Sequence, residues 1–235
     1  RIEWNRKDSL INKKEIHDQF KKIAIDINGK FYINYSDETP NVAIFVSKQN
    51  HCLLDLLWRV RNGELKMKVP LIVSNHPNLQ NIANDFNAEY IYFDTSKLSR
   101  EEVERRILVL LGEFEIKLVV LAKYMQILSD SFLKEFPSII NIHHSFLPAF
   151  KGAQPYHQAW ERGVKLIGAT AHYVTKDLDA GPIIEQTISN VSHRDEVSDL
   201  IRKGRDLERV ALARALRLHL KRQVIVYRGR TAVFT

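Results

Sequence analysis

Apolar runs of strand length alternate with stretches of helical period along most of the chain. Val42-Ala43-Ile44-Phe45-Val46 is apolar throughout, the pattern of a strand buried on both faces, and Leu53 to Arg61 predicts the helix that follows. Val69 to Val73, Tyr90 to Phe93, Leu118 to Ala122 and Ile139 to Ile142 read as further strands, with helices at Leu79 to Phe86, Arg100 to Phe114 and Ser129 to Glu135 between them. Strand and helix in strict alternation predict an α/β fold with a doubly wound, mostly parallel sheet. After Gln154 the rhythm changes to a helix ending at Arg162, two long strand candidates at Lys165 to Val174 and Pro182 to Ser189, a long basic helix and a short strand pair. This tail predicts an antiparallel edge on the same sheet.

Residues 1 to 40 follow another plan. Arg1 to Trp4 is strand-like, Lys13 to Ala24 predicts a helix, and Lys30 to Tyr35 alternates like a half-exposed strand before the linker Ser36-Asp37-Glu38-Thr39-Pro40. Forty residues are few for an independent core, so this part reads as one half of a small α+β domain whose first half precedes Arg1. The expected division is 1–40 and 41–235.

Composition narrows the class. The 235 residues are 45% hydrophobic and 27% charged, with 9 Gly and 7 Pro, which excludes a disordered or low-complexity chain. Cys52 is the single cysteine, so an internal disulfide is impossible; a reducing, cytoplasmic location is expected, with Cys52 a small buried hydrophobe. No apolar run approaches the roughly 18 residues of a membrane span. The net charge of +7 is concentrated: Arg202 to Arg230 holds ten Lys/Arg against Asp206 and Glu208. Without interleaved aromatic residues, this reads as the solvated face of an amphipathic helix whose buried stripe is Leu200, Ile201, Leu207, Val210, Ala211, Leu216 and Leu218. No nucleic-acid or membrane partner is expected.

The chemistry is concentrated between Asn141 and Gln186. The strand ending Asn141-Ile142-His143-His144 brings polar groups to its carboxyl end, where open α/β sheets bind ligands, and alternation puts Asn141 and His143 on one side. Asp177-Leu178-Asp179-Ala180-Gly181-Pro182 forms a loop whose carboxylate reaches the imidazole if the next strand pairs nearby. Amide, imidazole and carboxylate together suit acyl chemistry: two donors for an oxyanion, and an anion to set the histidine's charge and tautomer. Each residue alone has an ordinary use, as a strand-end cap, a buried histidine or a turn former. Adjacent strand histidines face opposite ways, so His144 is expected to shape the neighbouring loop and no shared metal is expected. Neither H-E-x-x-H nor G-x-S-x-G is present. His172 alternates with Ala171 and Tyr173 so as to face the same region.

Three runs, Asn141 to Ala153, Gly168-Ala169-Thr170-Ala171-His172-Tyr173-Val174 and Leu178-Asp179-Ala180-Gly181-Pro182-Ile183-Ile184, resemble the formyltransferase family that uses 10-formyltetrahydrofolate. The similarity spans residues 42 to 235. It implies a formyltransferase-like Rossmann fold, a catalytic trio Asn141, His143 and Asp179, and a folate-binding set of Met125, Gln126, Leu128, Leu133, Asp177 and Gly181. Gln126 stands where related sequences often have Arg. Lys123 and His144 resemble the hydrolytic branch and, with His172, are possible supporting residues. The resemblance implies hydrolysis of 10-formyltetrahydrofolate as substrate, with no cofactor and no metal, and formate supplied to purine synthesis. It also likens residues 1–40 to part of an ACT regulatory domain, implying an amino-acid effector and a homo-oligomer. The alternative is phosphoribosylglycinamide formyltransferase, whose second substrate carries a phosphate. A phosphate cradle needs a Gly-rich turn before a helix, and the turn Ser47-Lys48-Gln49-Asn50-His51-Cys52 has no glycine.

Overall fold

In the computed structural model, which describes residues 2–3, 12–35, 38–148 and 155–234, the chain divides into two units, Arg1–Glu38 and Thr39–Thr235. The expected strand at Arg1 to Trp4, residues Ser36 and Asp37 of the linker, and Ala149 to Gln154 lie outside the described residues or only partly within them.

The first unit holds α1 (Lys13–Asp26). Asn12 starts it with a capping box, its side chain accepting from the Glu15 N–H at 2.9 Å while Glu15 accepts from the Asn12 N–H at 3.2 Å. The strand expected at Lys30 to Tyr35 is absent; these residues carry no regular structure. A strand needs a ladder partner for its backbone groups, and the apolar side chains here turn to α1 instead. Phe31 packs on Phe20 and His17, with ring centroids 6.0 and 5.1 Å apart, and the Lys13 ammonium lies 4.0 Å from the centre of the Tyr35 ring.

The second unit is organised by a seven-stranded sheet. Its parallel strands are β1 (Asn41–Val46), β2 (Lys68–Ser74), β3 (Glu89–Tyr92), β4 (Ile116–Leu121) and β5 (Ile139–His143), joined through α2 (His51–Arg61), α3 (Gln80–Asp85), α4 (Arg100–Glu113) and α5 (Asp130–Glu135). After α6 (Pro155–Glu161), β6 (Leu166–Tyr173) and β7 (Ile183–Asn190) extend the sheet antiparallel, giving the order β3-β2-β1-β4-β5-β6-β7. The long α7 (Val197–Leu220) packs on β5, β6, β7 and α2, and β8 (Val224–Tyr227) with β9 (Arg230–Val233) forms a separate ribbon. The α/β plan and the antiparallel edge are those the hydrophobic pattern predicts.

Period 2 explains how one strand serves two cores. Val42, Ile44 and Val46 of β1 face the core shared with α2 and α7, whereas Ala43 and Phe45 face the core under α4 and α5. The Val, Ile and Phe side chains each contribute about 1.5–3 kcal/mol by leaving water. α7 is buried over a wider arc than its apolar stripe predicts: Leu200, Gly204, Glu208, Ala211, Leu212, Ala213, Ala215 and Leu216 are buried, whereas Ile201, Leu207, Val210 and Leu218 are half-buried. Two of its arginines pair within the helix, Arg202 with Asp199 at 2.9 Å and Arg209 with Asp206, whereas Arg214 and Arg217 reach Glu185 of β7 at 3.9 Å and Glu64 at 3.7 Å. Among the described residues no helix is long and apolar enough to cross a membrane.

The order reverses at β1, whose neighbours are β2 on one side and β4 on the other. The carboxyl ends of β1 and β4 therefore flank the crevice where doubly wound sheets place ligands. β5 lies one strand further on.

Candidate active site

Asn141 and His143 lie on β5 with side chains on the same face, and antiparallel pairing sets His172 directly opposite Asn141 and Thr170 opposite His143. The connection from β6 to β7 returns Asp179 over this face. Asp179 has φ +53°, a left-handed conformation that Asp tolerates better than most residues. Its Oδ2 is 3.2 Å from His143 Nδ1, and its Oδ1 is 3.4 Å from Asn141 Nδ2 and 3.6 Å from His172 Nε2. All four side chains that the sequence points to this face are thus brought together.

Hydrogen-bond accounting sets the proton positions. His172 Nδ1 is 2.9 Å from the Tyr173 carbonyl, which can only accept, so Nδ1 carries a proton. Its Nε2 lies 3.3 Å from Asn141 Nδ2 and accepts from it when His172 is neutral. His143 donates from Nδ1 to Asp179. Its Nε2 is buried and has no hydrogen-bond partner among the described residues. Burial alone would raise the Asp179 carboxyl, but hydrogen bonds and charge from His143 and His172 outweigh it and hold the group well below the usual carboxylate range. The result is a fixed anion behind an imidazole whose other nitrogen is committed to no hydrogen bond among the described residues.

Gly181 fits where a side chain cannot. A Cβ there would lie 1.7 Å from the Tyr173 carbonyl oxygen and 3.3 Å from His172 Nδ1. The segment after β5 is anchored by Thr170, which donates to the Ser145 carbonyl at 2.8 Å and accepts from the Leu147 N–H at 3.1 Å. Thr170 lies two residues before His172 on β6, and periodicity gave no sign of this anchoring.

His144 departs from expectation. β5 ends at His143, so strand alternation lapses there and the two rings do not face apart; they stack, with centroids 4.7 Å apart and planes at 22°. His144 Nδ1 lies 3.1 Å from Nζ of Lys123, itself buried just beyond β4. Lys123 pairs with Glu208 of α7 at 3.1 Å, and Glu208 also accepts from His51 at 2.6 Å and Tyr156 at 3.2 Å. Burial pushes the Glu208 carboxyl up, but the His51 hydrogen bond and the charges of Lys123 and His51 prevail, leaving it at about 2. Counting Glu208 among the charges of a basic helix hides it. The signal that finds it is the inward i, i+4 stripe Leu200, Gly204, Glu208, which contains one carboxylate.

The expected folate set falls on the loop after β4, the helix that follows it and the loop before β7. Met125 and Gln126 are exposed on the loop after β4, and Asp177 is exposed ahead of Asp179. Leu128 is buried in the core with Phe132 and Tyr124, and Leu133 packs against it. Ser47 Oγ accepts from the Met125 N–H at 2.9 Å and ties this loop to β1. His51, Cys52 and Glu208 place ligand atoms within 4.8 Å of one another. The Lys123 ammonium already neutralises that carboxylate, and burial followed by the Glu208 charge pushes the Cys52 thiol up, so the cluster is an ion-pair network and does not suit a cation.

These buried groups make stability fall in acid. His219 is lowered to about 4, first by burial and then by the Arg222 charge, and it accepts a 2.8 Å hydrogen bond from Tyr173. A histidine depressed in the fold contributes stability above its unfolded value of about 6.5, lost as pH falls towards 4; Glu208 follows from its usual 4.5 towards 2. Urea unfolding is therefore expected to show a loss on the order of 3 kcal/mol per group in two stages. In Glu208→Gln the second stage should shrink, and an unchanged acid limb would contradict the charged, buried assignment.

A family model described as Formyl transferase matches residues 40–216. A protein of Synechocystis sp. named formyltetrahydrofolate deformylase is 54% identical over all of this chain and 82% of its own length. One of Bacillus subtilis with the same name is 45% identical over all of this chain and 78% of its own. The crystal structure of a formyltetrahydrofolate deformylase from Pseudomonas syringae pv. tomato superposes with a TM-score of 0.91 at 42% identity, covering 96% of this chain and 76% of that one. With its sheet, its strand-end trio and this similarity over its whole length, the chain belongs to the formyl transferase family, among the formyltetrahydrofolate deformylases.

Proposed function

We propose that the chain hydrolyses 10-formyltetrahydrofolate to tetrahydrofolate and formate. The observation that carries this reading is Asp179, whose carboxylate holds His143 through Nδ1 at 3.2 Å and the Asn141 amide at 3.4 Å, so that both donors are fixed by one anion. Water adds to the formyl carbon. Asn141 Nδ2 and the Nε2–H of the His143 imidazolium hold the oxyanion, a contact worth about 3–4 kcal/mol per donor. As the C–N bond breaks, His143 gives its proton to the leaving nitrogen, and the proton lost by water restores the imidazolium. Among the described residues the Asn141 amide is held by contacts of 3.3 and 3.4 Å, long enough for a developing oxyanion to compete for it.

Water rather than a phosphate-bearing acceptor is favoured by the turn after β1. No glycine opens it, and Glu208 lies 2.6 Å from the side chain of His51, the first residue of α2. A carboxylate of the chain itself thus takes up the His51 side chain, which could otherwise help to hold an anion at this turn. Met125, Gln126, Leu128, Leu133, Asp177 and Gly181 are proposed to shape the folate site, Leu128, Leu133 and Gly181 by packing the segments that bear it. Formate released in the cytoplasm would supply purine synthesis and balance the one-carbon pool, with no cofactor taking part. Residues 1–40 are proposed as part of an ACT-like regulatory unit for an amino-acid effector; exposed Ile23, Ile25 and Ile27 there suit contact with a second copy.

The test is to supply 10-formyltetrahydrofolate alone and, separately, with glycinamide ribonucleotide. Formate release without the ribonucleotide and unaltered by it is expected. Turnover only in its presence would assign the transferase instead.

A further inference from the structure

The mechanism above leaves the buried ion pair behind the site unused. Lys123 is an unusual residue to find where it is: its φ is +66°, a left-handed conformation that costs a side-chain-bearing residue on the order of 1 kcal/mol or more, and its side chain is buried. What the strained backbone achieves is the placement of one ammonium 3.1 Å from Glu208 Oε1 and 3.1 Å from His144 Nδ1. The receiving side is shaped to match. A Cβ on Gly204 would lie 2.0 Å from the Tyr156 hydroxyl, so only glycine one turn before Glu208 lets that hydroxyl lie against α7 and donate to the carboxylate. His51 supplies a third donor.

An ammonium has no lone pair, so the contact with His144 fixes that ring's state. Nδ1 accepts, and His144 is therefore neutral with its proton on Nε2. This neutral ring is the surface on which His143 stacks at 4.7 Å.

We propose that Lys123 and Glu208 are positioning residues for His143: Glu208 holds the Lys123 ammonium, Lys123 holds His144 neutral and in place, and the His144 ring sets the plane of His143 for its bond to Asp179. The inference deepens the hydrolase reading and rests on it for its kinetic part. A misplacement of the imidazole by a fraction of an ångström is enough to slow the chemistry while leaving substrate binding intact.

The paired variant Lys123→Met/Glu208→Gln removes both charges together, so neither buried ion is left alone; the introduced amide oxygen still accepts from Tyr156 and from a neutral His51, and the protein keeps its fold. In the full chain, kcat for formate release is expected to fall about 10- to 100-fold with KM within about threefold. The same double change in a His144→Phe background, which keeps a flat ring but has no nitrogen for Lys123, is expected to cost less than about threefold further, the mark of residues acting through one another. Histidine ¹⁵N spectra of the substrate-free protein give a readout that turnover does not enter: the His144 signals are expected to show the Nε2–H tautomer in the wild type and to shift in the paired variant. Wild-type kcat in the paired variant, an equal loss with and without His144, or a His144 spectrum indifferent to Lys123 would each overturn the proposal. A wild-type protein that releases no formate but shows the expected His144 tautomer and shift would instead refute the hydrolase reading alone.

Discussion

Asp179→Asn is expected to lower kcat for formate release by about 10³- to 10⁴-fold, in the range by which removing the partner of a catalytic histidine slows acyl chemistry. Asn is the informative replacement because it is nearly isosteric and, like Asp, tolerates the left-handed φ of +53° at this position. The loop is thus retained and only the charge is lost. Without the anion, His143 Nδ1 no longer faces a group that compels it to donate, and the imidazolium that must hold the oxyanion loses its counter-charge 3.2 Å away. The loss belongs in kcat, because the carboxylate acts on the reacting centre and its removal leaves the rest of the substrate's contacts in place. His143→Asn should cost a similar factor, and the double variant little more than either, since each single change already disables the pair. Turnover within about tenfold of wild type in Asp179→Asn would remove Asp179 from the mechanism.

The trio was legible for a specific reason: two of its members sit two residues apart at the end of a strand, and the third follows in a turn before the antiparallel return. Alternation and pairing, both local rules, suffice to bring Asn141, His143, His172 and Asp179 to one face. The sheet was legible because parallel strands buried on both sides leave long apolar runs. His144 was misread because the same alternation was carried one residue past the end of β5, where the chain no longer follows it. The strand expected at 30–35 does not form: among the described residues no strand pairs with it, which an alternating pattern cannot reveal. Glu208 and Lys123 were hidden differently. A lysine or glutamate is ordinarily on the surface, and only the fold shows that β4, α2 and α7 converge so that these two neutralise each other. Pairs distant in sequence, 85 residues in this case, leave no periodic trace.

The same fold makes Gly181 as demanding a position as the trio it supports. Gly181→Ala is expected to lower kcat at least about 100-fold while costing about 1–3 kcal/mol of stability, so that the protein remains folded but misassembled at the site. The cause is steric and not conformational, because the residue does not occupy the left-handed region. A methyl group would meet the Tyr173 carbonyl oxygen at 1.7 Å, and backbone on both sides must then separate. That carbonyl accepts from His172 Nδ1 at 2.9 Å and fixes the tautomer of the ring opposite Asn141. The Tyr173 N–H also donates to the Pro182 carbonyl at 3.0 Å, so the strand and the loop cannot part without losing a second bond. Asp179 lies two residues before the clash, and a shift of the loop by about 1 Å would take its carboxylate out of reach of His143. Gly112→Ala is the matched control: nothing lies within 4 Å of its Cβ, it sits in α4 away from the site, and it is expected to raise stability by about 0.5–1 kcal/mol with kcat unchanged. Circular dichroism and a urea curve on both variants separate the two effects. A Gly181→Ala protein that is folded and turns over at the wild-type rate would show that the loop closes over His143 without needing the contact with Tyr173.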